Sequence, residues 1–149
     1  MNNFYQKIDL PKVPEHLIMP FKDMQSLPNQ FINKKADHTY KIVEINSDLQ
    51  EWVEEIFQVP CVTKYQIINQ DLPYHKDYGE ESFKFNYLIT LGGPDVKTFW
   101  KKSDQIVAEL KAEINTWYKI HVHIEHAVSG LVTPPRLSLV VRPQAPIFY

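Results

Sequence analysis

A histidine and an aspartate separated by one residue, His75-Lys76-Asp77, have the side chains and the spacing of a metal site. In an extended chain, residues two positions apart project to the same side, so the imidazole and the carboxylate can hold one ion. His126, much further along the chain, can supply the third ligand of a two-histidine, one-carboxylate set. We therefore predict a metal site with open coordination positions, formed by His75, Asp77 and His126, and call these residues the metal triad.

A candidate anion-binding pair follows His126 in the segment Arg136-Leu137-Ser138. On the strand predicted there, Arg136 and Ser138 lie on the same face. A guanidinium matches a carboxylate with two parallel hydrogen bonds, and the serine hydroxyl adds one more donor. The sequence thus predicts an open metal site with an anion-binding site close to it.

In this pattern the chain resembles the iron(II)- and 2-oxoglutarate-dependent oxygenases, in which His-x-Asp is followed by a distant His and then by Arg or Lys, often as Arg-x-Ser. The resemblance extends from about Val62 to Arg142. It implies that the metal triad holds Fe(II) and that dioxygen (O2) is the oxidant. It also implies that Arg136 and Ser138 bind the distal carboxylate of 2-oxoglutarate.

Two tyrosines make the sequence similar to the prolyl-hydroxylase-like members of this superfamily. Tyr65 precedes the His-x-Asp pair and Tyr87 follows it, and tyrosines at both places often hydrogen-bond 2-oxoglutarate in that branch. The resemblance implies that Tyr65 and Tyr87 contribute to cofactor binding, and the alternative is a core aromatic residue with a satisfied hydroxyl. The sequence departs from the prolyl 4-hydroxylases at Arg136, where they usually have lysine, which leaves the substrate open.

The activity that the resemblance implies is a dioxygenase that converts 2-oxoglutarate to succinate and hydroxylates an amino-acid or peptidyl side chain. Tyr74 and Tyr78 are candidate residues of the substrate entrance. The alternatives are a nucleic-acid demethylase of the same superfamily and a cupin-like metal-binding or non-catalytic partner-binding module.

His121-Val122-His123 offers a second pair of candidate ligands, of the cupin type. No glutamate follows this pair at the usual spacing, so we expect His121 and His123 to lie on a polar outer face of a strand. Lys84 and Arg142 are expected to face solvent.

Runs of β-branched and aromatic residues separated by short turns predict the elements that position these side chains. A helix is predicted over Leu49 to Phe57, after capping residues at Asn46-Ser47-Asp48. Residues 106–114 fit a strand or a helix, and the strand is preferred because its neighbours are strands. The predicted strands are residues 40–45, 62–69, 83–91, 96–101, 106–114, 117–124 and 136–142.

These elements predict a mainly β antiparallel sandwich or jelly roll, and the resemblance narrows it to a cupin-like double-stranded β-helix. We expect one domain, in which residues 61–149 form the double-stranded β-helix core. Residues 1–60 would supply an arm, a strand and a supporting helix. Four prolines in the first thirty residues predict that residues 1–34 form an extended arm with at most one short helical turn.

Composition excludes several other classes of protein. Sixteen Lys and Arg against 18 Asp and Glu give a formal net charge of -2, which argues against nucleic acid as a partner. The single cysteine, Cys61, excludes an internal disulfide. The sequence has no apolar run of membrane-spanning length and no signal-peptide pattern, so we expect a soluble cytoplasmic protein that acts on a small molecule, a peptide or a protein.

Overall fold

The computed structural model describes residues 3–30, 40–77, 79 and 81–147. The strands in these residues are β1 (Tyr5–Ile8), β2 (Tyr40–Glu44), β3 (Cys61–Ile68), β4 (Leu72–His75), β5 (Phe83–Thr90), β6 (Lys97–Lys102), β7 (Gln105–Leu110), β8 (Trp117–His121), β9 (His126–Ser129) and β10 (Arg136–Pro143). The helices are α1 (Phe21–Ser26) and α2 (Ser47–Phe57), and a 3-10 turn spans Glu15–Leu17. Within the described part of the chain, neither helix combines the length and the apolarity that crossing a membrane requires.

The strands form two antiparallel sheets, a six-stranded sheet in the order β1-β8-β5-β10-β3-β2 and a four-stranded sheet in the order β4-β9-β6-β7. Strands β3 to β10 pair as nested hairpins, β3 with β10, β4 with β9, β5 with β8 and β6 with β7. Successive nested pairs alternate between the two sheets, so strands β3 to β10 form one long hairpin that coils from one sheet to the other. This topology is a double-stranded β-helix, and the predicted fold class is confirmed.

The outer face of the six-stranded sheet is covered by α2 and by the N-terminal segment. Leu49, Val53 and Phe57 recur every fourth residue on one side of α2 and are buried against the sheet. Phe57 meets the rings of Phe85 and Trp117 at centroid distances of 5.2 and 5.6 Å. This apolar core fixes one face of the sheet, and the other face turns toward the four-stranded sheet.

The arm predicted over residues 1–34 contains more regular structure than expected. Strand β1 pairs with β8 at the edge of the sheet, and α1 follows the 3-10 turn. Residues 1, 2 and 31–34 of the predicted arm lie outside the described residues. The arm is held to the core in part because the indole N–H of Trp117 donates to the Pro11 carbonyl at 2.9 Å.

Several predicted boundaries differ from those of the structure. The strand preferred over residues 106–114 is present, and it ends at Leu110. The prediction of one strand over 117–124 is wrong in its second half, because β8 ends at His121 and the chain turns before His126 begins β9. Strands β1, β4 and β9 have four residues each and were not predicted, since four residues are too few to show a clear alternation. Asn46 occupies the N-cap of α2 but makes no side-chain capping hydrogen bond.

Candidate metal centre

The three predicted metal ligands meet at one end of the four-stranded sheet. Strands β4 and β9 pair with His75 opposite His126, and the centroids of the two imidazole rings are 4.4 Å apart. Asp77 follows β4, and its backbone N–H donates to the Val122 carbonyl at 2.9 Å. One ligand atom from each residue of the triad lies within 4.8 Å of those of the other two. The structure therefore brings His75, Asp77 and His126 together as the sequence predicts.

Backbone carbonyls fix the orientation of both histidine rings. The Nδ1 atom of His75 is 2.7 Å from the Pro73 carbonyl oxygen, and that of His126 is 2.7 Å from the Ile124 carbonyl oxygen. A carbonyl only accepts, so each Nδ1 carries a proton and donates it. The Nε2 atoms point the other way, toward Oδ1 of Asp77, at 3.6 Å for His75 and 3.5 Å for His126. This is the orientation in which imidazoles present a nitrogen lone pair to a metal.

The donor atoms of the triad fit a divalent transition metal. Among the residues that the structure describes, the buried Nε2 of His126 has no hydrogen-bond partner. Leaving a buried polar atom unsatisfied costs about 1–3 kcal/mol, and coordination would remove that cost. Burial lowers the pKa of His75, which favours the neutral form that a metal requires. Two imidazole nitrogens and one carboxylate oxygen are the ligand set of non-haem Fe(II) sites.

Arg142 holds the second carboxylate oxygen of Asp77. Its Nη2 donates to Oδ2 of Asp77 at 2.9 Å, which leaves Oδ1 directed at the two histidines. Burial opposes ionisation of Asp77 most strongly, but the neighbouring His126 ring, the charge of Lys84 and the Arg142 guanidinium together hold its pKa well below the ordinary value. The expectation that Arg142 faces solvent is corrected, because its side chain is partly buried and paired with Asp77, a candidate metal ligand.

A cavity lies between the two sheets and connects the two histidines of the triad with the predicted anion-binding pair. Both sheets contribute walls, and apolar residues such as Leu72 and Leu88 lie beside polar ones. The polar lining residues are Gln66, Lys84, Asn86, Arg136 and Ser138 from the six-stranded sheet and His75, Thr98 and His126 from the four-stranded sheet. Two of the predicted metal ligands, His75 and His126, therefore share one cavity with the predicted anion-binding residues.

Arg136 is a buried cation without a carboxylate partner. Its side chain is 5% exposed, and Nη1 donates to the Leu91 carbonyl at 3.0 Å. No ion pair links it to any carboxylate in the described part of the chain. Burial lowers the pKa of its guanidinium to about 10, so the group is charged at neutral pH. A buried positive charge in a cavity, with the Ser138 hydroxyl on the same face, is suited to an anionic ligand.

Tyr65 and Tyr87 do not line the cavity, which corrects the expectation that they bind the cofactor. Both lie opposite Leu139 in the register of β10 and so project from the other face of the sheet into the apolar core. The Tyr65 hydroxyl accepts from the Met19 N–H at 2.9 Å, and the Tyr87 hydroxyl donates to Oδ1 of Asn115 at 3.2 Å. The neighbouring positions Gln66 and Leu88 face the cavity, because side chains alternate along a strand.

Lys84, Asn86 and Gln66 are cavity residues that the sequence analysis missed. Lys84 is expected to face solvent, yet it is 7% exposed. Leu88 pairs with Ser138 across β5 and β10, so Asn86 and Lys84 continue the face of Ser138 by alternation. Gln66 donates to the Tyr40 hydroxyl at 3.0 Å, and burial raises the pKa of Tyr40 to about 12. These residues are identified by the register in which β3 and β5 pair with β10, and the sequence of a single strand does not show that register.

His121 and His123 lie outside the triad. Their ring centroids are 6.3 Å apart, and the His121 ring packs edge-on to Phe83 at 5.0 Å. Neither belongs to the three-ligand cluster found within the described residues. Of the two candidate entrance residues, Tyr74 has the Lys101 ammonium 4.3 Å from its ring centroid, and Tyr78 lies outside the described residues.

No protein-family model matches the chain, and no similar sequence was found among curated proteins. An oxidoreductase of the 2OG-Fe(II) oxygenase family from Burkholderia pseudomallei has a similar structure, with a TM-score of 0.49, 9% sequence identity, and coverage of 81% of this chain and 73% of the other. A cupin-2 domain containing protein from Shewanella frigidimarina gives a TM-score of 0.38 and 13% identity, covering 87% of this chain and 97% of the other. AviO1 from Streptomyces viridochromogenes gives a TM-score of 0.37 and 11% identity, covering 68% of this chain and 60% of the other. These likenesses concern the fold and assign no activity.

We expect the wild-type protein to bind one divalent ion per chain and each of His75→Ala, Asp77→Ala and His126→Ala to weaken that binding by at least about 100-fold. Groups that only orient ligands are worth roughly 10–100-fold, and a lost ligand costs more. Isothermal titration with Zn(II) measures the effect. His121→Ala and His123→Ala serve as controls and should bind like wild type. Loss of binding in the control variants, with binding retained in the triad variants, would favour the cupin-type site.

Arg142→Met should lower Zn(II) affinity by about 10–100-fold, because Asp77 loses the donor that holds Oδ2. Arg142→Lys should recover part of the affinity. Titration of the folded variants measures the change, and thermal unfolding confirms that each variant is folded. Lys111→Met, which removes an exposed cation, is the control. An affinity of Arg142→Met within about twofold of wild type would show that Arg142 does not position the ligand.

Proposed function

We propose that this protein is an Fe(II)- and 2-oxoglutarate-dependent dioxygenase that hydroxylates an amino-acid or peptidyl side chain. The supporting observation is that one cavity is lined by both histidines of the oriented His75, Asp77 and His126 cluster and by Arg136, whose buried guanidinium has no described carboxylate partner. 2-Oxoglutarate has complementary chemistry, since one end is a metal-chelating 2-oxo acid and the other is a carboxylate.

The metal triad would hold Fe(II) with three protein ligands and leave the remaining coordination positions for other molecules. Bound iron supplies the redox chemistry that couples decarboxylation of 2-oxoglutarate to oxidation of a C–H bond by O2. The protein contributes oriented ligands: the Pro73 and Ile124 carbonyls hold the histidine tautomers, and Arg142 holds Asp77. These contacts limit the reorganisation of the ligands when a metal binds.

Arg136 and Ser138 would bind the distal carboxylate of 2-oxoglutarate. The Nη1 of Arg136 is oriented by the Leu91 carbonyl, so the guanidinium enters the cavity in a fixed position. A carboxylate here would compensate a charge that no described carboxylate pairs with. Apolar wall residues such as Ile68, Leu72 and Val128 limit the water around this contact, which strengthens it.

The decisive assay is conversion of 2-oxoglutarate to succinate by the protein loaded with Fe(II) in the presence of O2. We expect wild type to form succinate without an added substrate, and His75→Ala and Asp77→Ala to form none above the protein-free control. Mass spectrometry of the products measures both. Tight metal binding without succinate formation would instead support a non-catalytic metal-binding module. Turnover by both variants at the wild-type rate would show that the metal ligands are wrongly assigned.

Arg136→Ala should weaken 2-oxoglutarate binding by about 2–5 kcal/mol, because the distal carboxylate loses a buried charged donor. This corresponds to roughly 30-fold or more in the dissociation constant. Equilibrium titration of the Zn(II)-loaded protein with 2-oxoglutarate measures it without turnover. Tyr87→Phe alters the opposite face of the same sheet and should leave the constant within about twofold. Equal constants for Arg136→Ala and wild type would remove Arg136 from the site.

A further inference from the structure

Lys84 is a buried cation of the cavity that neither the metal triad nor the 2-oxoglutarate site uses. It lies on β5, is 7% exposed and lines the cavity. Its ammonium forms no hydrogen bond and no ion pair with any residue in the described ranges. A buried ammonium without a partner is unfavourable for folding unless a ligand compensates its charge.

The pairing of β5 with β10 places Lys84 at the metal end of the cavity. Val141 lies opposite Phe85, so the next position of the register sets Lys84 beside Arg142. The negative charge of Asp77 acts on Lys84, but the two oxygens of Asp77 are directed at Arg142 and at the histidines. Burial therefore lowers the pKa of Lys84 despite the opposing effect of Asp77, and a bound anion would restore it.

The charges of the site leave Lys84 without a counterion even when the proposed ligands are counted. Lys84, Arg136 and Arg142 stand against the single carboxylate of Asp77, and a divalent metal adds further positive charge. The two carboxylates of 2-oxoglutarate would be taken by the metal and by Arg136. Two positive charges then remain, one at the metal centre and one at Lys84, and the charge of Lys84 is available to a second ligand.

Asn86 provides a second unsatisfied group on the same wall. Its Oδ1 atom is buried and has no hydrogen-bond partner among the described residues. Asn86 lies two residues from Lys84 on β5, so both side chains face the cavity. A cation and a neutral acceptor at this spacing suit a molecule that carries a carboxylate and, near it, an N–H or O–H donor.

On the basis of the proposed function, we infer that Lys84 binds a carboxylate of the primary substrate while Asn86 Oδ1 accepts a hydrogen bond from the same molecule. We assign this carboxylate to the α-carboxylate, and the donor to the α-ammonium group, of a free amino acid, because an internal peptide residue has neither group. Lys84 is a specificity-determining residue in this arrangement.

The test uses protein loaded with Zn(II) and saturated with 2-oxoglutarate. Each proteinogenic amino acid is added to it, one at a time, in an isothermal titration. We expect at least one amino acid to bind, and its carboxamide to bind at least about tenfold more weakly, as one charged contact implies. Lys84→Met should abolish this preference for the acid, and Lys84→Arg should retain part of it. Lys102→Met, which removes an exposed cation on the four-stranded sheet, should behave like wild type.

The outcomes separate this inference from the proposed function. Wild type that binds Zn(II) and 2-oxoglutarate but no amino acid would overturn the inference and leave the oxygenase proposal standing. An acid preference that persists in Lys84→Met would also overturn it. If Lys84→Met weakens 2-oxoglutarate binding by tenfold or more, the carboxylate at Lys84 is that of 2-oxoglutarate, and the inferred substrate class is wrong.

Discussion

Strand β10 lies between β3 and β5, and its alternating side chains serve two different environments. Leu137, Leu139 and Val141 pack into the apolar core beneath α2, whereas Arg136 and Ser138 face the cavity. Because the side-chain period of a strand is two, the same short segment anchors the sheet and supplies the polar wall. A shift of one residue in its pairing would bury the arginines in the core and turn the leucines into the cavity. The register of β10 is therefore the constraint on which both the core and the candidate site depend.

Burial of charge in the cavity is unfavourable for folding, and the core on the other face of the sheet offsets it. An ion buried without a partner costs several kcal/mol. Burial of side chains such as Trp117, Tyr65 and Leu49 stabilises the folded state by about 1.5–3 kcal/mol for each side chain. Tyr65 and Tyr87 thus matter to the site as parts of the support beneath it, because they hold the sheet whose opposite face carries Arg136 and Lys84.

The clustering of His75, Asp77 and His126 could be predicted from residue types and spacing, but the faces of the strands could not all be assigned. Arg136 and Ser138 share a face by alternation. The same rule extends to Arg142, so the face on which Arg142 lies could also be predicted from the sequence. In β5, however, the polar residues Lys84 and Asn86 alternate with apolar ones just as they would on a solvent-facing strand. A polar cavity wall and a solvated surface have the same sequence pattern, and only the pairing with β10 distinguishes them. Strand β9, which begins at His126, is too short to show any periodicity.

The Asp77–Arg142 ion pair joins the two sheets at the metal end of the cavity. His75 and His126 belong to the four-stranded sheet, whereas Arg142 belongs to β10 of the six-stranded sheet. Arg142 of the six-stranded sheet therefore orients Asp77 through Oδ2. The Oδ1 atom of Asp77 faces the histidines of the four-stranded sheet. Arg136 lies six residues before Arg142 on the same strand, so β10 also sets the separation between the metal end and the anion-binding end. Packing that fixes β10 against the core thus determines both the geometry of the metal ligands and the length of ligand that can bridge the two ends.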